Sequence, residues 1–203
     1  CGGLGSSAAT AAGVVFGINK ILNDKLNLNE MIRYALEGEK ISSESPHADN
    51  IGPCLMGGLI IIRNMESLDL IKIPTSNFYC SVIHPDVKID TKTARKILPK
   101  QIDLSTAINQ WGNISALTYG FASMDIDLIK RSMDDYIIEP VRSKLIPCYS
   151  AIKKAALSKG AIGCSISGSG PSIFALCSDE FTSKIVVKSI PISFPLFSII
   201  LCL

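Results

Sequence analysis

Eleven residues near the start of the chain, Gly2-Gly3-Leu4-Gly5-Ser6-Ser7-Ala8-Ala9-Thr10-Ala11-Ala12, constrain its fold more than any other stretch. Glycines let a backbone approach a ligand closely and take conformations closed to other residues. The small residues that follow are compatible with a helix. Its first turn would offer unpaired N–H groups and a positive dipole end to an anion. Ser6 and Ser7 add hydroxyls suited to a phosphate oxygen or a magnesium ion. The loop lacks the Lys after Gly that a Walker A sequence requires, so it would be a phosphate cradle with its own chemistry. On this stretch alone a flexible Gly/Ser tail remains the competing reading.

A second small-residue loop lies far along the chain. Gly160-Ala161-Ile162-Gly163-Cys164-Ser165-Ile166-Ser167-Gly168-Ser169-Gly170-Pro171-Ser172 runs into the apolar Ile173-Phe174-Ala175-Leu176. Apolar residues on both sides of Gly-Ser-Gly-Pro predict two strands joined by a tight turn, which alone is an ordinary hairpin. Two such loops in one chain, one of them opening a helix, suggest a pocket for a polyphosphate.

Net charge is +2, and no basic stripe interleaves with aromatics, which argues against nucleic-acid binding. The seven cysteines form no CxxC pair, so a reducing cytoplasm fits better than a disulfide framework. Two histidines are too few for a histidine metal cluster. No apolar run has the length of a membrane span, so no membrane partner is expected.

Periodicity predicts helices over 7–23, 30–41, 91–98, 104–122, 125–136 and 150–159. Ile18, Ile21 and Leu22 should form the apolar face of the first, and Asn29 should cap the second, with Met31, Tyr34 and Ala35 on its apolar face. Pro46 and Pro53 predict a loop or helix start between them. Residues 57–63 read as a buried strand, 68–74 as a weaker one and 78–83 as a third. A domain boundary is expected near Pro74. Periodicity supports only an α/β or α+β class.

Between the two loops lies Glu37-Gly38-Glu39, then Ser42-Ser43-Glu44-Ser45-Pro46-His47-Ala48-Asp49-Asn50-Ile51-Gly52-Pro53. Taken in order, GLGSSAA, a Glu eight residues before HADN, and GCSISGSGPS resemble the GHMP small-molecule kinases. The HADN segment, His47 to Gly58, resembles the homoserine kinase branch in particular. So do Thr91-Lys92-Thr93-Ala94-Arg95 with Leu98-Pro99, and Glu139-Pro140-Val141-Arg142 with Leu145-Ile146-Pro147. The similarity covers residues 2 to 178.

The resemblance implies an α+β fold of GHMP kinase type. Residues 1–74 would complete an ATP-binding domain of the ribosomal-S5-domain-2 type, and 75–188 would form a ferredoxin-like domain, with the active site in the cleft between them. Residues 189–203, apolar and interrupted by prolines, do not resemble the family's last helix and strand and are expected to be an atypical tail. Both ends suggest a fragment. The implied reaction is ATP-dependent phosphorylation of the side-chain hydroxyl of L-homoserine, a step toward threonine. A sibling kinase acting on another small alcohol, or an inactive nucleotide-binding protein, is the alternative.

By the same resemblance, Gly2, Gly3, Leu4, Gly5, Ser6, Ser7 and Ala8, with Gly168, Ser169 and Gly170, would bind ATP. Ser7 and Glu39 would hold Mg2+, a hard cation suited to oxygen ligands. His47, Asn50, Arg95 and Arg142 would hold the amino acid, the two guanidiniums clamping its carboxylate. Thr91, one turn before Arg95, would touch substrate or the transferring phosphate. Sibling kinases place an Asp near position 50, whereas Asn50 cannot act as a base. Catalysis is therefore expected to rest on positioning and electrostatics, with Glu39, Asn50 and Thr91 at its centre. Cys148 departs from the family's Gly after Leu-Ile-Pro, so the backbone there should differ modestly. The family's tendency toward dimers makes a homodimer an expectation, and the cytoplasm is the expected location.

Overall fold

A computed structural model of the chain describes residues 2–40, 48–75, 77–190 and the backbone of 196–202. It divides into two compact units: Gly5–Thr75, and Ser76–Leu203 together with the first residues through Leu4.

In the Gly5–Thr75 unit, helices α1 (Ser6–Ile21), α2 (Leu28–Lys40) and α3 (Ala48–Met56) precede an antiparallel pair, β1 (Leu59–Asn64) and β2 (Asp69–Ile73). The buried face of α1 is Ala8, Ala12 and Asn19. This differs from the expected Ile18, Ile21 and Leu22, which are exposed, Ile21 by 81%. Small residues let α2 approach closely, and a pattern read from bulky apolar positions misses a face made of alanines. On α2 the buried set is Ile32, Ala35, Leu36 and Glu39, not Met31 and Tyr34. The α2 cap also shifts. Asn27 accepts from the Glu30 N–H at 3.0 Å, and Glu30 accepts from the Asn27 N–H at 2.8 Å, a reciprocal capping box two residues before Asn29.

Helix α3 continues through Pro53, giving up the bond its N–H would have made. Gly52 lets the helix lie on the strand pair, since a Cβ there would stand 2.7 Å from Leu70 Cδ2. Strand β1 is half-buried along Leu59–Ile62 and exposed at its end, less enclosed than its apolar run suggests.

The second unit holds β3 (Tyr79–Pro85), α4 (Thr91–Lys96), α5 (Leu104–Ser123), α6 (Ile126–Ser132), α7 (Glu139–Arg142), a 3₁₀ turn (Ser143–Leu145), α8 (Tyr149–Ser158), β4 (Gly163–Ile166), β5 (Ile173–Cys177), α9 (Glu180–Ser189) and β6 (Leu196–Cys202). The sheet order is β4-β5-β3-β6, with every neighbouring pair antiparallel. A β-α-β-β-α-β succession in this order is the ferredoxin-like arrangement. Asp90, Asp103, Asp125 and Asp179 each accept from the N–H three residues on, fixing the starts of α4, α5, α6 and α9. Helix α6 stops at Ser132, short of the expected 136, because Asp135 turns its carboxylate to the N–H groups of Ile137, Ile138 and Glu139 and starts α7 instead.

Within the stretch set apart as an atypical tail, Leu196–Cys202 forms β6, paired with β3 from Tyr79↔Cys202 to Pro85↔Leu196. Leu196–Cys202 is apolar at every position but Ser198 and carries no period of two, so the strand is hard to see in sequence. One core gathers Ile83, Ile146, Ile152, Ile173 and Val186, and a smaller one gathers Phe78, Ile129, Ile162 and Leu176. The Ser81 hydroxyl is buried against Ser183 of α9, with Oγ 3.0 Å from the Ser183 carbonyl oxygen and 2.8 Å from its hydroxyl.

Candidate active site

The turn between β4 and β5 is closed by two backbone bonds: Ser167 N–H to the Ser172 carbonyl at 2.8 Å and Gly170 N–H to the Ser167 carbonyl at 3.0 Å. Serine hydroxyls at the two feet of this turn reach the first glycines of the chain. Ser167 Oγ donates to the Gly3 carbonyl at 2.7 Å, and Ser172 Oγ donates to the Gly2 carbonyl. In a trans peptide the C=O and the following N–H point in opposite directions. Tying back the Gly2 and Gly3 carbonyls therefore aims the Gly3 and Leu4 N–H groups away from the turn. Gly3 is required here: φ is +73°, and a Cβ would stand 2.3 Å from the Ser167 carbonyl oxygen.

Arg142 anchors the same turn from another side. Its Nη1 donates to the Gly168 carbonyl at 2.8 Å and its Nε to the Ala94 carbonyl of α4 at 3.3 Å. Burial and the neighbouring Arg95 charge lower its pKa below the usual guanidinium value, opposed by Asp135. Thr91 and Arg95 are four residues apart on α4 and so share a helix face. Ser169 is half-buried and Gly170 buried within the turn.

Position 139, three residues before Arg142, is also tied down. Glu139 accepts from Lys153 Nζ at 2.5 Å and from Ser165 Oγ at 2.9 Å, joining α7 to α8 and β4. Cys148 adopts φ 59°, ψ 16°, the left-handed conformation a glycine takes without strain. The backbone there keeps a glycine's shape, and the side chain carries the strain.

In the Gly5–Thr75 unit, Gly5 precedes α1 with φ +64°, and a Cβ on it would stand 2.6 Å from Asn50 Oδ1. Asn50 of α3 thus packs directly against the loop backbone. Gly5 at the α1 N-cap has no side chain with which to cap the helix, so the N–H groups at Ser6, Ser7 and Ala8 are suited to an anion. Ser7 is exposed there. Glu39 is 2% exposed, on the α2 face that meets the core, where the ordinary expectation for a Glu is a solvated face. Asp49 is exposed, and His47 lies outside the described residues. No group of three or more His, Cys, Asp or Glu suited to a metal occurs among the described residues, so Ser7 and Glu39 could supply only part of a cation's oxygen shell.

Sequence reasoning singled out the glycines but not Ser167, Ser172 or His84. The two serines stand visibly at the feet of the turn. His84, whose Nδ1 lies 2.9 Å from Ser172 Oγ, gives no signal, since its partner is 88 residues away.

Residues 1–58 match the family model described as the GHMP kinases N terminal domain, and residues 117–196 match the GHMP kinases C terminal model. The chain belongs to the GHMP kinase family. The homoserine kinase of Chlorobium phaeobacteroides (strain BS1) is 45% identical over 193 residues, 95% of this chain and 60% of that protein. That of Methanococcus vannielii is 38% identical over 179 residues, 88% of this chain and 59% of that protein. The crystal structure of homoserine kinase from Cytophaga hutchinsonii superposes with a TM-score of 0.93 at 46% identity, covering 99% of this chain and 65% of that one. The L. major mevalonate kinase structure, 16% identical with a TM-score of 0.81 over 97% of this chain and 65% of that one, shares the fold. The chain spans about 60% of the length of the curated relatives it matches. No helix among the described residues is long and apolar enough to cross a membrane.

Proposed function

We propose that the protein transfers the γ-phosphoryl group of ATP to the side-chain hydroxyl of L-homoserine, forming O-phospho-L-homoserine and ADP. One observation carries the nucleotide half of this reading. The Gly2 and Gly3 carbonyls are drawn back by two serine hydroxyls, which turns consecutive amide N–H groups outward as donors for phosphate oxygens. The substrate half is supported by the homoserine kinases similar to the chain, at 45% and 46% identity.

Phosphoryl transfer asks little covalent chemistry of a protein; it needs placement of the alcohol and charge stabilisation on the phosphates. Gly3, Leu4, Ser6, Ser7 and Ala8 would donate backbone N–H groups to the triphosphate, with Gly2, Gly5, Gly168, Ser169 and Gly170 shaping the loops that present them. Glu39 and the Ser7 hydroxyl would hold Mg2+, and a buried carboxylate fits an all-oxygen shell. That ion, when bound, neutralises charge on the phosphates.

Arg142 spends Nε and one Nη1 hydrogen on backbone carbonyls, leaving its outer end, with Arg95, to meet the substrate carboxylate. His47 and Asn50 would orient the amino acid, and Thr91 would contact the acceptor or the transferring group. Asn50 cannot take the hydroxyl proton, so the proton would leave late or to a phosphate oxygen. The described thiols of Cys54, Cys80, Cys148, Cys164 and Cys177 are free, which fits an ATP-using enzyme of the cytoplasm, and a homodimer is the assembly we expect.

The test is incubation of the full-length protein with ATP, magnesium and homoserine, mevalonate, galactose or shikimate, with products identified by mass spectrometry. Phospho-homoserine should dominate. Another phosphorylated alcohol would overturn the substrate, and ATP binding without product would overturn the activity. Asp49→Asn should leave turnover within a few-fold; a loss of many orders of magnitude with binding intact would make Asp49 the base.

A further inference from the structure

We propose that His84 is a positioning residue for the nucleotide-binding loop, acting through Ser172 with its Nδ1 protonated; the functional half rests on the kinase reading above. Proton supply fixes the roles of the three groups. Ser172 is fully buried, and its Oγ meets two partners, the Gly2 carbonyl oxygen and His84 Nδ1. A hydroxyl has one proton to give, and a carbonyl oxygen can only accept. The Ser172 proton therefore goes to Gly2, and His84 Nδ1 must donate to the Ser172 oxygen. That fixes the imidazole with hydrogen on Nδ1 and locks the hydroxyl rotor toward Gly2.

The ring also forms a wall. A Cβ on Gly2 would stand 3.1 Å from His84 Cε1, so the imidazole closes one side of the Gly2 backbone. Because the Gly2 carbonyl and the Gly3 N–H belong to one trans peptide, holding the first sets the direction of the second. His84 thereby controls, through Ser172, the aim of an amide proposed to bind phosphate. It lies on β3, in an element that contributes no residue to the proposed set of nucleotide contacts.

The tautomer can be read without any activity. Long-range ¹H–¹⁵N correlation on the full-length protein with ¹⁵N-histidine, at a pH where the imidazole is neutral, should show hydrogen on Nδ1 of His84. The signals are assigned by their loss in His84→Asn. Hydrogen on Nε2 alone would overturn the proposal.

The second readout is ATP affinity by calorimetry. An Asn places its amide nitrogen where Nδ1 stood, so His84→Asn should bind ATP within about twofold of wild type. His84→Leu keeps bulk but loses the donor, and should bind ATP roughly three- to tenfold more weakly, the range of one net hydrogen bond. Equal affinities for the two variants would overturn the positioning role. A wild type that binds no ATP would overturn the kinase reading and the functional half with it; the tautomer would still decide the structural half.

Discussion

Gly3→Ala tests whether the first glycine loop is held by the hairpin turn or merely lies beside it. Three terms set the size of the effect. An alanine at φ +73° costs roughly 1–2 kcal/mol for its left-handed backbone. Its Cβ would stand 2.3 Å from the Ser167 carbonyl oxygen, so the two backbones must part by about 0.7 Å to reach even the shortest real contacts. Parting that far lengthens the 2.7 Å bond from Ser167 Oγ to the Gly3 carbonyl to about 3.4 Å at most, outside the usual O–H···O range, a further loss of about 1 kcal/mol. Reduced freedom of the unfolded chain returns about 0.4–1 kcal/mol.

The net is about 1–2.6 kcal/mol, which corresponds to ATP binding weakened roughly fivefold to 80-fold if the loop binds phosphate. Gly13→Ala in α1 is the matched control. That glycine is exposed and helical, and a Cβ there meets nothing within 4 Å. The control should stabilise by about 0.5–1 kcal/mol and leave ATP affinity unchanged. The assay is calorimetric ATP titration beside urea unfolding. ATP binding by Gly3→Ala as tight as by the control would mean that the turn does not hold the glycine loop.

Four further outcomes are expected. Cys148→Gly should raise stability by about 0.5–1 kcal/mol in urea unfolding, because it removes left-handed strain at an exposed position while adding some unfolded-state entropy. Among the described thiols, Cys54 and Cys148 should alkylate in the native protein, whereas Cys80 and Cys164, whose pKa values burial pushes to about 12, should react only on unfolding, read by site-resolved mass spectrometry. The Asp103 and Asp179 carboxyls sit below the ordinary carboxylate range, held there by side-chain and backbone hydrogen bonds from Ser105, Thr106 and Thr182; their stabilisation is present above about pH 4 and lost as pH falls further, so the Asp103→Asn, Asp179→Asn double variant should show a flatter acid limb in thermal melts. Tyr149→Phe should change stability by less than about 1.5 kcal/mol, since the buried hydroxyl lies beside Glu139 and Ser165 without closing a well-formed hydrogen bond to either; a larger loss would mean that it is firmly bonded in solution.

What was legible in the sequence was largely local. The turn chemistry of Gly168 to Pro171 and the helix after Gly5 are short-range signals, and both elements form. Glu39 could be singled out only by resemblance, because nothing local distinguishes a buried carboxylate from a solvated one on a helix. The faces of α1 and α2 were misread for a physical reason: a helix can bury alanines and leave its isoleucines outside when a neighbour needs close approach. The strand β6, apolar but for Ser198, has no alternation to mark it. The bonds joining Gly2 and Gly3 to Ser172 and Ser167, and Arg142 to Gly168, span 26 to 170 positions, and no sequence period reports such distances.

The turn at 167–172 does more than join two strands. It receives a guanidinium at Gly168, supplies hydroxyls to Gly2 and Gly3, and meets an imidazole through Ser172. If Arg142 holds the acceptor's carboxylate and the glycine loop holds phosphate, one six-residue turn is bonded directly to both sets of contacts. Arg142→Lys separates this geometry from charge. An ammonium keeps the positive charge but cannot bond Gly168 and Ala94 while presenting a fork to a carboxylate. A role confined to the acceptor would raise KM for homoserine alone. A shared turn requires KM for ATP to rise as well, and an unchanged ATP KM would refute it.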